Sequence, residues 1–198
     1  MELAPFAASH PEADILITGV GVHTVIYKLI KAIQLKTYSH ILQVGVAGSY
    51  STNMELGKAV IVARDRFLDL GVMENEKFLS VFDMGLANRD SFPFTDGWLE
   101  NPNVSVYYQQ ASVVNGATVN MLTDNRKHSE SLNTSVSAQI ESMEGAGLHW
   151  VCLMENISFL QIRGISNFVG ERDKSKWKMN KAIESSCLLL NKIYHQLK

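Results

Sequence analysis

Short apolar runs that stop at glycine or at a polar residue, each followed by a helical pattern, constrain this chain most. DILIT (14–18), HILQVGV (40–46), KAVIVA (58–63) and FLQIRGIS (159–166) are rich in β-branched residues and too short for helices. They read as buried strands. Further strand patterns cover 78–82, 104–114 and 136–141. Between the runs, HTVIYKLIKAIQL (23–35) places Val25, Leu29, Ile30 and Ile33 on one helical face, and a second helix follows Glu144. A last helix carries Ile183, Cys187, Leu190, Tyr194 and Leu197 at helical steps. Strands alternating with amphipathic helices predict an α/β domain with a largely parallel, two-sided sheet. The 198 residues show no internal repeat, low-complexity segment or linker, so one domain spanning 1–198 is expected. In such sheets ligands bind beyond the carboxyl ends of the strands. The polar residues directly after strands are therefore the ones to weigh.

Composition narrows the function classes. A net charge of −2 carries no clustered basic surface, which argues against nucleic acid as a partner. No apolar run reaches the roughly 20 residues that span a bilayer. The opening MELAPFAASH lacks the basic flank and apolar stretch of a secretory signal, so the chain reads as cytoplasmic. Cys152 and Cys187 sit in helical patterns and read as reduced, buried thiols. The histidines are scattered without ligand spacing, so no metal is expected. GVGVHT (19–24) imitates a dinucleotide loop, but Thr24 stands at its third glycine position and Gln43 where a ribose-binding acid belongs. It reads as turn glycines, and no cofactor is implied.

Three stretches remain. In QVGVAGS (43–49), Gly45, Val46, Ala47 and Gly48 either let backbone approach a ligand or form a simple tight turn. In SMEGAG (142–147), Glu144 at a helix start favours the ionised carboxylate, whether as a site residue or as a plain helix-end charge. Glu141, just before it, has no evident task. In QIRGISN (161–167), Arg163 inside an apolar strand needs a carboxylate or an anionic ligand. Asn167 is a turn former or a ligand contact.

In this order, GVAG (45–48), ESMEGAG (141–147) and IRGISN (162–167) resemble the nucleoside phosphorylase/nucleosidase superfamily, in the branch of the methylthioadenosine/S-adenosylhomocysteine nucleosidases. RFLDLGV (66–72), DMGL (83–86), FPFTDGWLENP (92–102) and FLQIRGISNFV (159–169) bring the likeness closer to the futalosine hydrolases of menaquinone synthesis. The resemblance implies a three-layer phosphorylase/hydrolase-like fold, a central mixed sheet flanked by helices. It implies that Glu144 binds the ribose hydroxyls, that Met143 packs on the sugar, and that Arg163 orients a carboxylate and the attacking water. Asn167 would face the purine, with Val119, Asn120 and Phe168 around the base and residues 45–48 along the nucleoside. The family's first strand has no counterpart in this chain. MELAPF fits the residues after that strand, which makes Glu2 the expected water-activating glutamate.

Two positions bear on subclass. The adenine-specific nucleosidases carry an aspartate where this chain has Asn167. An amide offers N–H donors without a titratable proton, which suits the acceptor edge of a 6-oxopurine such as hypoxanthine. Related phosphorylases hold phosphate with an arginine and a serine where this chain has Gln43 and Val46, so water is the expected nucleophile. The resemblance also implies a homo-oligomer, a dimer first, with the loop of Phe92, Phe94 and Trp98 as one source of contacts. The competing readings are an adenine-type nucleosidase, a purine nucleoside phosphorylase, or a non-catalytic nucleoside-binding protein.

Overall fold

The computed structural model describes residues 3–75, 77–134 and 136–197. The strands among them are β1 (His40–Ser49), β2 (Ala59–Asp65), β3 (Gly71–Glu74), β4 (Lys77–Ser80), β5 (Leu99–Glu100), β6 (Val113–Thr118), β7 (Ile140–Ser142) and β8 (Ser158–Phe168). The helices are α1 (Ala4–Ser9), α2 (Val22–Leu35), α3 (Arg126–Asn133), α4 (Gly145–Met154) and α5 (Met179–Tyr194).

The main sheet is mixed, in the order β5-β2-β6-β7-β1-β8, and β8 also pairs with β2. β1 runs parallel to β8, β2 to β6 and β6 to β7, while β2–β8 and β1–β7 are antiparallel. Helices cover both faces, as the alternation in the sequence requires. Along β8 the pleat divides the side chains. Leu160 and Ile162 pack with Leu189, Leu190 and Ile193 of α5. Phe159 points to the other face, with Val25 and Leu29 of α2 and Leu148, Val151 and Cys152 of α4. Gln161 and Arg163 share the Phe159 side, which sets two polar groups beneath α4.

Several expectations shift in detail. Residues 14–18 pair with no strand among those described, and Ile15, Leu16 and Ile17 are exposed. A local apolar pattern signals a strand but does not supply its partner. The stretch 104–114 opens as a 3-10 turn over Val104–Tyr107, because Val104 and Tyr107 are buried at a spacing of three, and extended chain starts only at Val113. The strand expected over 136–141 is confined to Ile140–Ser142. The strand expected over 78–82 appears as β4, but its hairpin partner β3 and helix α3, whose Asn125 side chain caps the backbone N–H of His128, carry no long apolar period and were not anticipated. On α5 the buried positions are Ala182, Ser186, Leu189, Leu190 and Ile193, one step round from the expected stripe. Small residues decide that rotation, since Gly164 of β8 lies against the Ala182 backbone.

Candidate active site

The carboxyl ends of β1, β7 and β8 converge. Gly48 of β1 lies opposite Glu141 of β7 and Asn167 of β8. A bulge between Ala47 and Gly48 inserts Ser166 as an extra residue on β8, which brings Asn167 rather than Ser166 to that row. α4 begins three residues after Ser142, the last residue of β7, so Met143 and Glu144 sit at the junction. The first α4 amides are all engaged. Gly145 N–H donates to Ser142 Oγ at 3.3 Å, Ala146 N–H to Thr118 Oγ1 at 2.8 Å and Gly147 N–H to the Glu144 carbonyl at 3.0 Å.

Glu144 is held by both oxygens. Oε1 accepts from the backbone N–H of Gly21 at 3.2 Å, and Oε2 lies 3.3 Å from Nη1 of Arg163. The glycine turn at 19–21 thus does more than turn the chain. Arg163 is almost fully buried, with 3% of its side chain exposed against 18% for Glu144. Its Nη2 donates to Gln43 Oε1 at 2.9 Å and its Nη1 to the Val46 carbonyl at 3.4 Å. The carboxylate that a buried arginine requires is therefore Glu144. Gly45 makes the approach possible, since a Cβ there would stand 2.5 Å from Nη1.

Ser166 Oγ donates to Asn167 Oδ1 at 2.7 Å, and Asn167 Nδ2 donates to the Phe168 carbonyl at 2.9 Å. The second amide hydrogen of Asn167 has no acceptor among the described residues. A cavity of about 150 Å³ is lined by Val46, Ala47, Gly48, Met143, Glu144 and Asn167, with Glu141, Leu122, Arg172 and Trp177 among its other walls. Of the remaining expected contacts, Gly45 and Arg163 lie just behind the wall. Val119 is buried with Leu68, Trp98 and Ala138. Asn120 is tied to Asp69 by its backbone N–H at 2.6 Å and its side-chain amide at 3.0 Å. Phe168 ends β8 and is not among the lining residues. Glu2 lies outside the described residues.

Other groups at the site had no sequence signal. Glu141 accepts a 2.6 Å hydrogen bond from the Tyr50 hydroxyl, and burial raises its carboxyl above the usual range. Beneath α4, Asp65 is fully buried. Its Oδ1 accepts from the Arg66 backbone N–H at 2.8 Å and from the Thr118 hydroxyl at 2.9 Å. Burial pushes this carboxyl up to about 6. His149 is fully buried. It sits edge-on to Phe159, and its Nδ1–H donates to the Leu99 carbonyl at 2.8 Å. Burial pulls it down to about 4, so the ring is neutral near pH 7. Asp65 and Gln161 are single polar residues at strand positions, and nothing local marks them as neighbours of Glu144. A second hollow of about 740 Å³, beside Phe92, Phe94 and Tyr108, shares none of these residues.

No family model matches the chain. It is similar to the futalosine hydrolase of Thermus thermophilus, at 27% identity over 92% of this chain and 86% of that protein. The futalosine hydrolase of Acidothermus cellulolyticus is also 27% identical, over 86% of this chain and 70% of that protein. Among solved structures, a futalosine hydrolase mutant of Helicobacter pylori superposes with a TM-score of 0.79 at 17% identity, over 98% of this chain and 94% of that one. An S-adenosylhomocysteine nucleosidase of Streptococcus pyogenes gives a TM-score of 0.75 at 16% identity, over 91% of this chain and 78% of that one. The sequence likeness is to futalosine hydrolases, and the fold is that of the methylthioadenosine/S-adenosylhomocysteine nucleosidases. These relatives support an enzyme of the nucleosidase class.

Proposed function

We propose that this relative of the futalosine hydrolases cleaves the N-glycosidic bond of a 6-oxopurine nucleoside, futalosine foremost, with water as nucleophile and hypoxanthine as the released base. The observation that carries the reading is Glu144, fixed by Arg163 and the Gly21 N–H on the wall of a cavity that Met143 and Asn167 also line. Glu144 receives the ribose hydroxyls, and its negative charge faces the sugar as positive charge develops there in a loose displacement. Asn167, its oxygen taken by Ser166, turns its spare amide hydrogen to the acceptor edge of the purine. As the C–N bond breaks, the water oxygen bonds to the anomeric carbon, the bonding pair leaves with the base, and a proton completes the base. Glu2 remains the expected group to deprotonate the water, a contribution of typically ~10²–10⁴-fold.

Gln43 supports hydrolysis over phosphorolysis. Its Oε1 accepts from Arg163 at 2.9 Å, so an arginine in its place would set two guanidinium groups against each other. The test incubates the chain with futalosine, inosine and methylthioadenosine, with and without phosphate, and separates the products. Hypoxanthine release from futalosine without phosphate is expected. Adenine release alone would move the reading to the adenine-type nucleosidases. Strict phosphate dependence with ribose 1-phosphate as product would make the protein a phosphorylase.

A further inference from the structure

Beneath the Glu144–Arg163 pair, polar atoms are buried without a well-formed hydrogen bond among the described residues: Asp65 Oδ2, both terminal atoms of Gln161, His149 Nε2 and Arg163 Nε. The Gln161 side chain is the neighbour of both Asp65 and His149. Such atoms cost on the order of 1–3 kcal/mol each when left bare. They belong to one place. A Cβ on Gly145, the first residue of α4, would stand 2.0 Å from Asp65 Oδ2 and 2.3 Å from Gln161 Nε2. Both side chains occupy the space that this glycine leaves open, directly under the residue that follows Glu144. The bare groups are complementary in kind. His149 commits its Nδ1–H to Leu99, so its Nε2 is an acceptor, as is Asp65 Oδ2. The Gln161 amide nitrogen carries two hydrogens, one for each. Gln161 Oε1 is an acceptor, and Arg163 Nε–H, two residues on and on the same face of β8, is a donor.

We propose that Gln161 is a positioning residue for the nucleosidase site: its amide joins Asp65 and His149 to Arg163, and so fixes the direction from which the guanidinium grips Glu144. The same support reaches Glu144 along a second line. Asp65 accepts from Thr118, and Thr118 accepts from the Ala146 amide in the first turn of α4. The groups that face Asp65 with charge or a titratable proton are Arg163 from β8 and His149 from α4, and Arg66 follows it in the chain. Protonating Asp65 on Oδ2 would set donor against donor at the Gln161 amide. The amide must then turn, and Oε1 leaves Arg163. The inference depends on the nucleosidase reading only in its kinetic arm.

Two measurements on the intact chain test it. A ¹³C titration of the Asp65 carboxyl, in the wild type and in Gln161→Met, needs no substrate. The amide opposes the rise caused by burial, so its removal is expected to move the titration up by about half a pH unit or more. An unmoved titration overturns the coupling. Should Gln161→Met fail to fold, Gln161→Glu carries the same test. Two carboxyls sharing the pocket titrate as a pair at well-separated pH values, whereas a single undisturbed Asp65 titration overturns the proposal. In turnover, Gln161→Met is expected to lower kcat by about 10–100-fold with a smaller change in KM, as misplaced groups do. The acid limb of its kcat profile is expected at higher pH than in the wild type, and Asp65→Asn is expected to flatten that limb. Loss of stability with the limb unmoved would make Gln161 merely structural. If the wild type releases no base, the nucleosidase reading fails and the titration alone decides the coupling.

Discussion

Glu144 and Arg163 contribute as a pair, because neither is satisfied in its place without the other. Asn167 contributes differently: Ser166 donates to its oxygen, and the Phe168 carbonyl accepts one amide hydrogen and leaves the other over. Replacing it with aspartate keeps the Ser166 donor but turns a carboxylate toward the base. Asn167→Asp is expected to shift kcat/KM toward adenine nucleosides by roughly 10–100-fold, corresponding to the ~1–3 kcal/mol cost of a mismatched buried polar pair. Competition between inosine-type and adenosine-type substrates measures it, and an unchanged ratio counts against Asn167 as the base reader. Asp65 and His149 make a prediction about stability. His149 has a folded pKa near 4, below its ordinary 6.5, so its contribution is present above 6.5 and lost as pH falls through about 4. Asp65 has a folded pKa near 6, above its ordinary 3.8, so its contribution is present below 3.8 and lost as pH rises through about 6. Between about 4 and 6 the two slopes oppose, and the wild type is expected to vary little there. In His149→Phe only the Asp65 slope remains. Its denaturation midpoint is expected to fall from pH 4 to 6, by about 2–3 kcal/mol in stability, on top of the ~1–3 kcal/mol cost of the unpaired Leu99 carbonyl.

Among the elements, β8 does most of the positioning. One face of it docks α5 while the other carries Gln161 and Arg163 beneath α4. Gly164 shows how closely it is packed, since a Cβ there would meet the Ala182 carbonyl of α5 at 2.1 Å. Backbone cannot move aside cheaply, so Gly164→Ala is expected to destabilise by about 1–3 kcal/mol through overpacking. Chemical denaturation checks it, and an unchanged midpoint would mean that α5 shifts freely on the sheet. The elements legible in the sequence were those with a strong period or a long apolar run: α2, α4, α5, β1, β2 and β8. The 3-10 turn at Val104–Tyr107, the exposed strand β3 and polar α3 were not, because none of them carries an apolar period of its own.

For the whole molecule, the long parallel pairing of β1 with β8 brings the site into being, since it sets their carboxyl ends side by side. The apolar loop beside that sheet leaves Phe92 72% exposed. We propose a homodimer that covers it. Sedimentation is expected to give twice the chain mass, and Phe92→Ser is expected to weaken the association; a wild-type monomer across micromolar concentrations would refute it.

Glu144 and Asn167 stood out in the sequence because each is a polar residue at the end of an apolar run, where an α/β sheet exposes its ligand edge, and Arg163 because a charge inside an apolar strand demands a partner. The alternation of strands and helices likewise determined the fold class. What only the tertiary structure decided are the partners. Gln43 and Gly21 reach the Glu144–Arg163 pair, Tyr50 reaches Glu141, and Asp65 and Gln161 meet beneath Gly145. Those contacts join strands far apart in the chain, and a single sequence carries no signal for pairing across such distances when each residue, read alone, is an ordinary polar side chain.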